Sequence, residues 1–230
     1  MDLLSPILFF LITQLFIPVL GDDSVKGKLL ASHSISLEKR YDDKFVNDVF
    51  KDNILLNTAY FSGKVTKKEN INWNDVKKPF KYRFTLMPNK TFAFHEDVSE
   101  KYKDSVSLTT NANFNFDDGF KSDGYLTGDG VCHLASLMYL VAKNAGLEAY
   151  APTNHDFREI PEISKEYGVS IYKMPGNTSG NAMQNLYITN NKENPIVFEL
   201  SYKDSQLKFS INEEQIRISM SSSVWMIPTA

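Results

Sequence analysis

The stretch GYLTGDGVCHLASLMYLVAKNAGLEAYAPTNHDF, residues 124–157, carries the only cysteine of the chain, Cys132, and two of its four histidines. From Val131 to Asn144, Leu134, Leu137, Met138, Val141 and Ala145 recur at three- and four-residue spacing and form one apolar stripe, which predicts a helix over 131–144. Lys143 falls in its last turn and Gly146 stands where a residue of positive φ ends a helix. Asp129 is the expected N-cap, which puts Cys132 at the third position of the first turn. LEAYAP then reads as a short strand that carries the chain back toward the start of the helix and brings His155 with it.

Upstream, VNDVFKDNILLNTAYFSG (46–63) spaces its apolar residues for one short amphipathic helix ended by Gly63. In the next segment Phe80, Tyr82, Phe84 and Leu86 alternate with Lys81, Arg83 and Thr85, the pattern of a half-buried strand closed by an MPNK turn. TFAFHEDV restarts a short strand. Residues 108–130, rich in Asn, Asp and Gly, read as a long surface loop whose length suggests a function. GVSIYKM (168–174), MQNLYITNN and the hairpin PIVFELSYKDSQLKFSI supply the late strands. The expected fold is α+β: a single domain over 46–218 in which an antiparallel sheet packs on the central helix 131–144. Residues 22–45 read as a polar linker and 219–230 as a C-terminal tail.

LLSPILFFLITQLFIPVLG (3–21) is apolar, uncharged and followed by two aspartates, so residues 1–21 read as a signal peptide or membrane anchor. With 25 basic and 28 acidic residues in 230, the chain has no basic patch for nucleic acid. Export combined with a lone thiol removes the disulfide reading and leaves Cys132 as buried or functional. Neither CxxC nor HExxH occurs, so no metal site and no cofactor are expected.

A thiol in the first turn of a helix faces the positive end of the macrodipole, which favours thiolate, while an ionised Asp129 nearby opposes it. His133 is adjacent in sequence but diverges by about 100° around the helix, so it is a poor base for Cys132. His155 is better placed, with Asn154 or Asp156 as orienting group. Ala135, Ser136 and Tyr139 share the cysteine's helix face, and Tyr139 is expected to line a pocket there. Tyr125, His133 and Asp129 are further candidate substrate contacts, as are His95 and Glu96, where FHEDV offers Glu96 and Asp97 as a carboxylate pair for glycan chemistry or, as the alternative, a solvated strand end. Against the catalytic role stands a buried structural Cys132 and a His155 that merely holds a loop. NFDDGFKSDG (115–124) alternates Asp with Gly and offers oxygen ligands for Ca²⁺, but it lacks EF-hand spacing and a closing Glu, so a plain polar loop is the alternative reading. His33 has no convergent partner, and Asn89-Lys-Thr and Asn177-Thr-Ser are formal glycosylation sequons.

GDGVCHLASLMYLVAKNAGLE resembles the VanW-like domain, on Gly128, Gly130, Val131, Cys132 and Tyr139. The resemblance extends upstream to KTFAFHEDV (90–98) and downstream through NHDF to NLYITNNKENPIVFEL (185–200), so it covers about residues 80–211. Asp129 and His133 depart from the family pattern, which usually has Gly and Gln there. The resemblance implies a bacterial protein of the cell envelope, with peptidoglycan glycan or stem peptide as partner and the membrane as a second partner if residues 3–20 are retained. The order of Cys on a helix and His on a following strand is also similar to transglutaminase- and papain-type hydrolases. Two functions are therefore expected as alternatives: a cysteine-dependent cell-wall hydrolase or transferase, or a non-catalytic wall-binding module.

Overall fold

A computed structural model describes residues 27–214, so the apolar segment 1–21 and the tail 219–230 lie outside the described residues. The described residues form two four-stranded sheets and four α-helices, α1 (Lys44–Phe61), α2 (Trp73–Val76), α3 (Val131–Asn144) and α4 (Thr178–Ala182). The larger sheet is antiparallel throughout. Its strands β1 (Lys28–Ser36), β2 (Phe80–Leu86), β7 (Ile196–Lys203) and β8 (Gln206–Glu213) lie in the order β1-β8-β7-β2. The smaller sheet contains β3 (Thr91–Ala93), β4 (Val106–Leu108), β5 (Glu148–Tyr150) and β6 (Tyr187–Thr189), in the order β4-β3-β6-β5. There β3 and β4 run parallel, while the other two pairs are antiparallel.

The helix α3 (Val131–Asn144) packs against β1 and β8 of one sheet, β5 of the other and the long helix α1 (Lys44–Phe61). Leu134, Leu137, Met138 and Val141 have no solvent exposure, and each such side chain contributes about 1.5–3 kcal/mol through apolar burial. This is the α+β domain on a central helix that the periodicity predicts. Gly146 at φ 68° ends α3 as expected. The hairpin at Lys203–Gln206 turns on Asp204 and Ser205, both at positive φ, as a two-residue strand connection of the right twist requires.

Four expectations change. The segment read as a linker, 22–45, contains β1, which pairs along its whole length with β8. As an edge strand it is mostly half-exposed or exposed, so its sequence carries little apolar alternation. The helix expected at 46–63 is not simply amphipathic, because every residue from Asp52 to Phe61 is buried. One of its polar members, Asn53, bonds the long loop: it donates to the carbonyls of Lys121 and Asp129 at 3.0 and 2.9 Å and accepts from Lys121 N at 2.8 Å. Asp52, also buried, holds Lys77 and Lys121 at 2.8 and 2.5 Å. Loop 108–130 is thus pinned on α1.

The expected strand 168–174 does not form, because its neighbour on one side is a helix with no spare backbone groups. Side chains of α3 replace a ladder partner: Val169 N donates to Ser136 Oγ at 2.9 Å and Ile171 N to Cys132 Sγ at 3.4 Å. The amides between them, Ser170 and Tyr172, donate to Thr153 O and Gln184 O. All four amides are satisfied without a strand.

Finally, Gly130 rather than Asp129 caps α3, at φ 96°, so Cys132 is the second helical residue. A Cβ on Gly130 would lie 2.7 Å from Phe50 O, and one on Gly128 would lie 2.8 Å from Phe114 O. The glycines therefore serve close approach of the turn to α1 and to the loop as well as positive φ.

Candidate functional site

The turn, the start of α3 and the segments 155–158 and 171–173 enclose a cleft of about 240 Å³. Cys132, His133, His155, Asp129 and Tyr125 all line it, so five of the residues singled out in the sequence converge. Tyr125 is 92% exposed and Phe157 76% exposed, and both stand on the cleft as uncovered aromatic faces. Tyr41, Phe50 and Tyr172 add to the aromatic lining.

Cys132 is half-buried. Its thiol donates to Ile171 O at 3.6 Å and its sulfur accepts from Ile171 N at 3.4 Å. Burial pushes the thiol up to about 11; the Ile171 amide works against that shift and the Asp129 charge adds to it. The resting group is therefore a thiol at neutral pH, and the helix terminus does not overcome desolvation.

His155 is buried, with Nδ1 3.2 Å from Arg158 O and its ring 4.1 Å from that of Phe157. It makes no hydrogen bond to Cys132 among the described residues. Burial lowers its pKa from the usual histidine value, against smaller contributions from its own backbone, the Arg158 carbonyl and Asp156. The orienting role expected of Asn154 or Asp156 falls to that Arg158 carbonyl: Asn154 donates to Lys165 O at 3.3 Å, and Asp156 is exposed.

His133 is 4% exposed, edge-on to Phe50 at 5.1 Å and to His155 at 6.2 Å between ring centroids. Its Nδ1 is sealed from solvent and has no hydrogen-bond partner. Its pKa is driven well below the ordinary value, first by burial and then by the charges of Arg40, His155 and Arg158. Asp129 is displaced in the other direction, to about 6, by burial and the neighbouring Asp123 charge, although its Oδ2 accepts from Asp123 N at 3.2 Å.

Three expected contacts lie elsewhere. Tyr139 packs on Tyr167 at 6.2 Å and does not line the cleft, because seven positions carry it two turns up α3 from the cysteine. His95 is fully buried and bonds Gln184 O at 3.0 Å and Asn185 Nδ2 at 3.3 Å, holding the approach to β6. Glu96 pairs with Lys173, whose other partner is Asn113. Phe120, on the same loop as Tyr125, is 1% exposed and belongs to the core. Phe157 is the contact that sequence reasoning missed, although a lone Phe among charged residues in NHDFRE was its available signal. Among the described residues no group of three His, Cys, Asp or Glu side chains could hold a metal ion, and no helix is long and apolar enough to cross a membrane.

The fold and the cleft define an α+β domain whose central helix opens, at a glycine-rich turn bearing a single cysteine, onto an aromatic-lined groove. The chain belongs to the family described as VanW like protein, whose model matches residues 81–212. No curated protein and no solved structure matches it.

Proposed function

We propose that the protein is an exported cell-envelope module that binds peptidoglycan through the aromatic cleft, with Cys132 as a structural thiol. The observation that carries this reading is the contrast on the cleft wall. Cys132 is engaged in both directions by the Ile171 backbone and its thiol pKa is raised, whereas Tyr125 and Phe157 present uncovered rings. Aromatic faces stack on the apolar faces of sugar rings and need no charge to do so. Export is supported by the apolar, uncharged segment 3–21, and the wall as destination by the family resemblance.

The test is a pull-down on purified peptidoglycan. Tyr125→Ala/Phe157→Ala is expected to lose retention while Cys132→Ser keeps it. Retention that depends on Cys132 and survives loss of both aromatics would instead support the cysteine-dependent hydrolase or transferase. That second reading has one observation in its favour, namely that Cys132 and His155 line the same cleft. It requires rapid alkylation of the native thiol by iodoacetamide at neutral pH; an inert thiol removes it.

A further inference from the structure

The wall of the cleft that carries His155, Phe157 and Arg158 belongs to a loop whose two ends touch. Asn154 Nδ2 donates to Lys165 O, and Gly168 packs so closely that a Cβ there would lie 2.7 Å from His155 O. Residues 158–162 of this loop are gripped from outside by two consecutive residues that follow β1. Arg40 has a fully buried side chain. Its Nε donates to Ser36 O at 2.8 Å, Nη1 donates to Pro161 O at 3.1 Å, and Nη2 pairs with the Glu162 carboxylate. The same carboxylate oxygen accepts from Ser36 N at 2.8 Å, and His33 Nε2 donates to Glu162 O at 3.0 Å. Tyr41 takes the other end of the stretch: Arg158 lies 3.8 Å over its ring and bonds its hydroxyl. Both grips are seated on α1, where Asn47 Oδ1 accepts from the amides of Arg40 and Tyr41 at 2.7 and 3.2 Å.

We propose that Glu162, through its pair with Arg40, is a positioning residue for the aromatic cleft: it fixes the loop so that Phe157 and Arg158 stand at the cleft wall. This rests on the peptidoglycan-binding reading and names a group outside the cleft on which that binding depends. Glu162 does not line the cleft, so it acts only through the loop. A buried guanidinium is tolerated only when it is paired and hydrogen-bonded, which leaves Arg40 one place for its fork and Glu162 one place to stand. Glu162 accordingly holds φ 66°, in the left-handed region, which a residue with a Cβ keeps only where its surroundings impose it. Replacing such a pair by apolar residues costs little stability, so its use here is to select one arrangement of the loop.

Apparent affinity for purified peptidoglycan, measured by sedimentation, tests the coupling. Glu162→Gln and Phe157→Ala are each expected to weaken it about ten-fold, and the double variant no further, because a displaced ring has no contact left to lose. Glu162→Gln combined with Tyr125→Ala should multiply to about a hundred-fold. A merely structural loss lowers the folded fraction alike in every background, so multiplication with Phe157→Ala as well overturns the proposal. Unchanged binding by Glu162→Gln overturns it too. Arg40→Met/Glu162→Met, which leaves no buried charge unpaired, replaces Glu162→Gln in the cycle if that variant folds poorly. The Phe157 ring protons report its placement without a ligand. In the free protein the His155 ring, 4.1 Å away, is expected to shift them from their random-coil positions, and the paired variant to lose that shift. A shift that persists defeats the positioning role and leaves peptidoglycan binding standing. Loss of the shift, with full retention by Tyr125→Ala/Phe157→Ala, keeps the positioning role and defeats the binding reading.

Discussion

Cys132 and His133 are adjacent in the chain, at the start of one helix, and their side chains meet opposite ends. The cysteine lines the same cleft, but its polar atom is satisfied within the chain. Its sulfur bonds Ile171 in both directions, and one turn on Ser136 Oγ donates to Cys132 O at 2.7 Å while accepting from Val169 N. The histidine's face is left open, with a buried ring that no described residue bonds and a cleft beside it. Polar groups satisfied within the chain hold the fold, and those left unpaired at a cavity are the ones free to meet a ligand. The more reactive residue by chemical type is here the one whose polar atom is satisfied within the chain.

The largest effect should come from breaking the hydrogen bonds on the cysteine's side. Ser136→Ala leaves the buried Val169 N–H without an acceptor and is expected to cost about 2 kcal/mol in denaturant unfolding. Cys132→Ala, which removes only weak sulfur hydrogen bonds and a small volume, should cost about half as much. Equal costs would mean that the sulfur is more than a substitute ladder partner.

The acid–base groups of the cleft test the same division by pH. Asp129 has a folded pKa of about 6, above its unfolded value near 3.8, so ionising it opposes folding. The native state holds the extra proton between those values, and stability from this group is lost as pH rises from about 4 through 6. The two cleft histidines act oppositely: their folded pKa values lie below 6.5, so their contribution is present above pH 6.5 and is lost as pH falls. Asp129→Asn is therefore expected to stabilise the protein at pH 7–8 by roughly 1–2 kcal/mol and to have little effect at pH 4. A uniform change across that range would sink the assignment.

The smallest effect is also the sharpest discriminator. Asn57, fully buried in α1, also has side-chain atoms without partners, but it lines no described cleft. Asn57→Leu should gain about 1 kcal/mol in thermal unfolding and leave peptidoglycan retention unchanged, since replacing an orphaned polar group by an apolar one of similar shape is neutral to stabilising. His133→Phe should gain a similar amount and weaken retention. If both variants keep full retention, the open face of α3 has no role in binding.

Much of this was legible from local pattern. The central helix 131–144, the strand 80–86, the late hairpin and the convergence of Cys132 with His155 follow from periodicity, turn chemistry and the short return of the chain through β5. The edge strand β1 was not legible, because a strand paired on one side and wet on the other needs no apolar alternation. Nor was the failure of 168–174 to form a strand: its residues suit one, and only the presence of a helix beside it sends its amides to Ser136 and Cys132. The sequence alone therefore determined where the glycine turn, the thiol and the helix stand, since spacing and backbone freedom are local properties. Tertiary structure decided that the thiol is bonded and protonated while the neighbouring imidazole is unpaired, because desolvation and hydrogen-bond partners come from segments some twenty to ninety residues away in the chain.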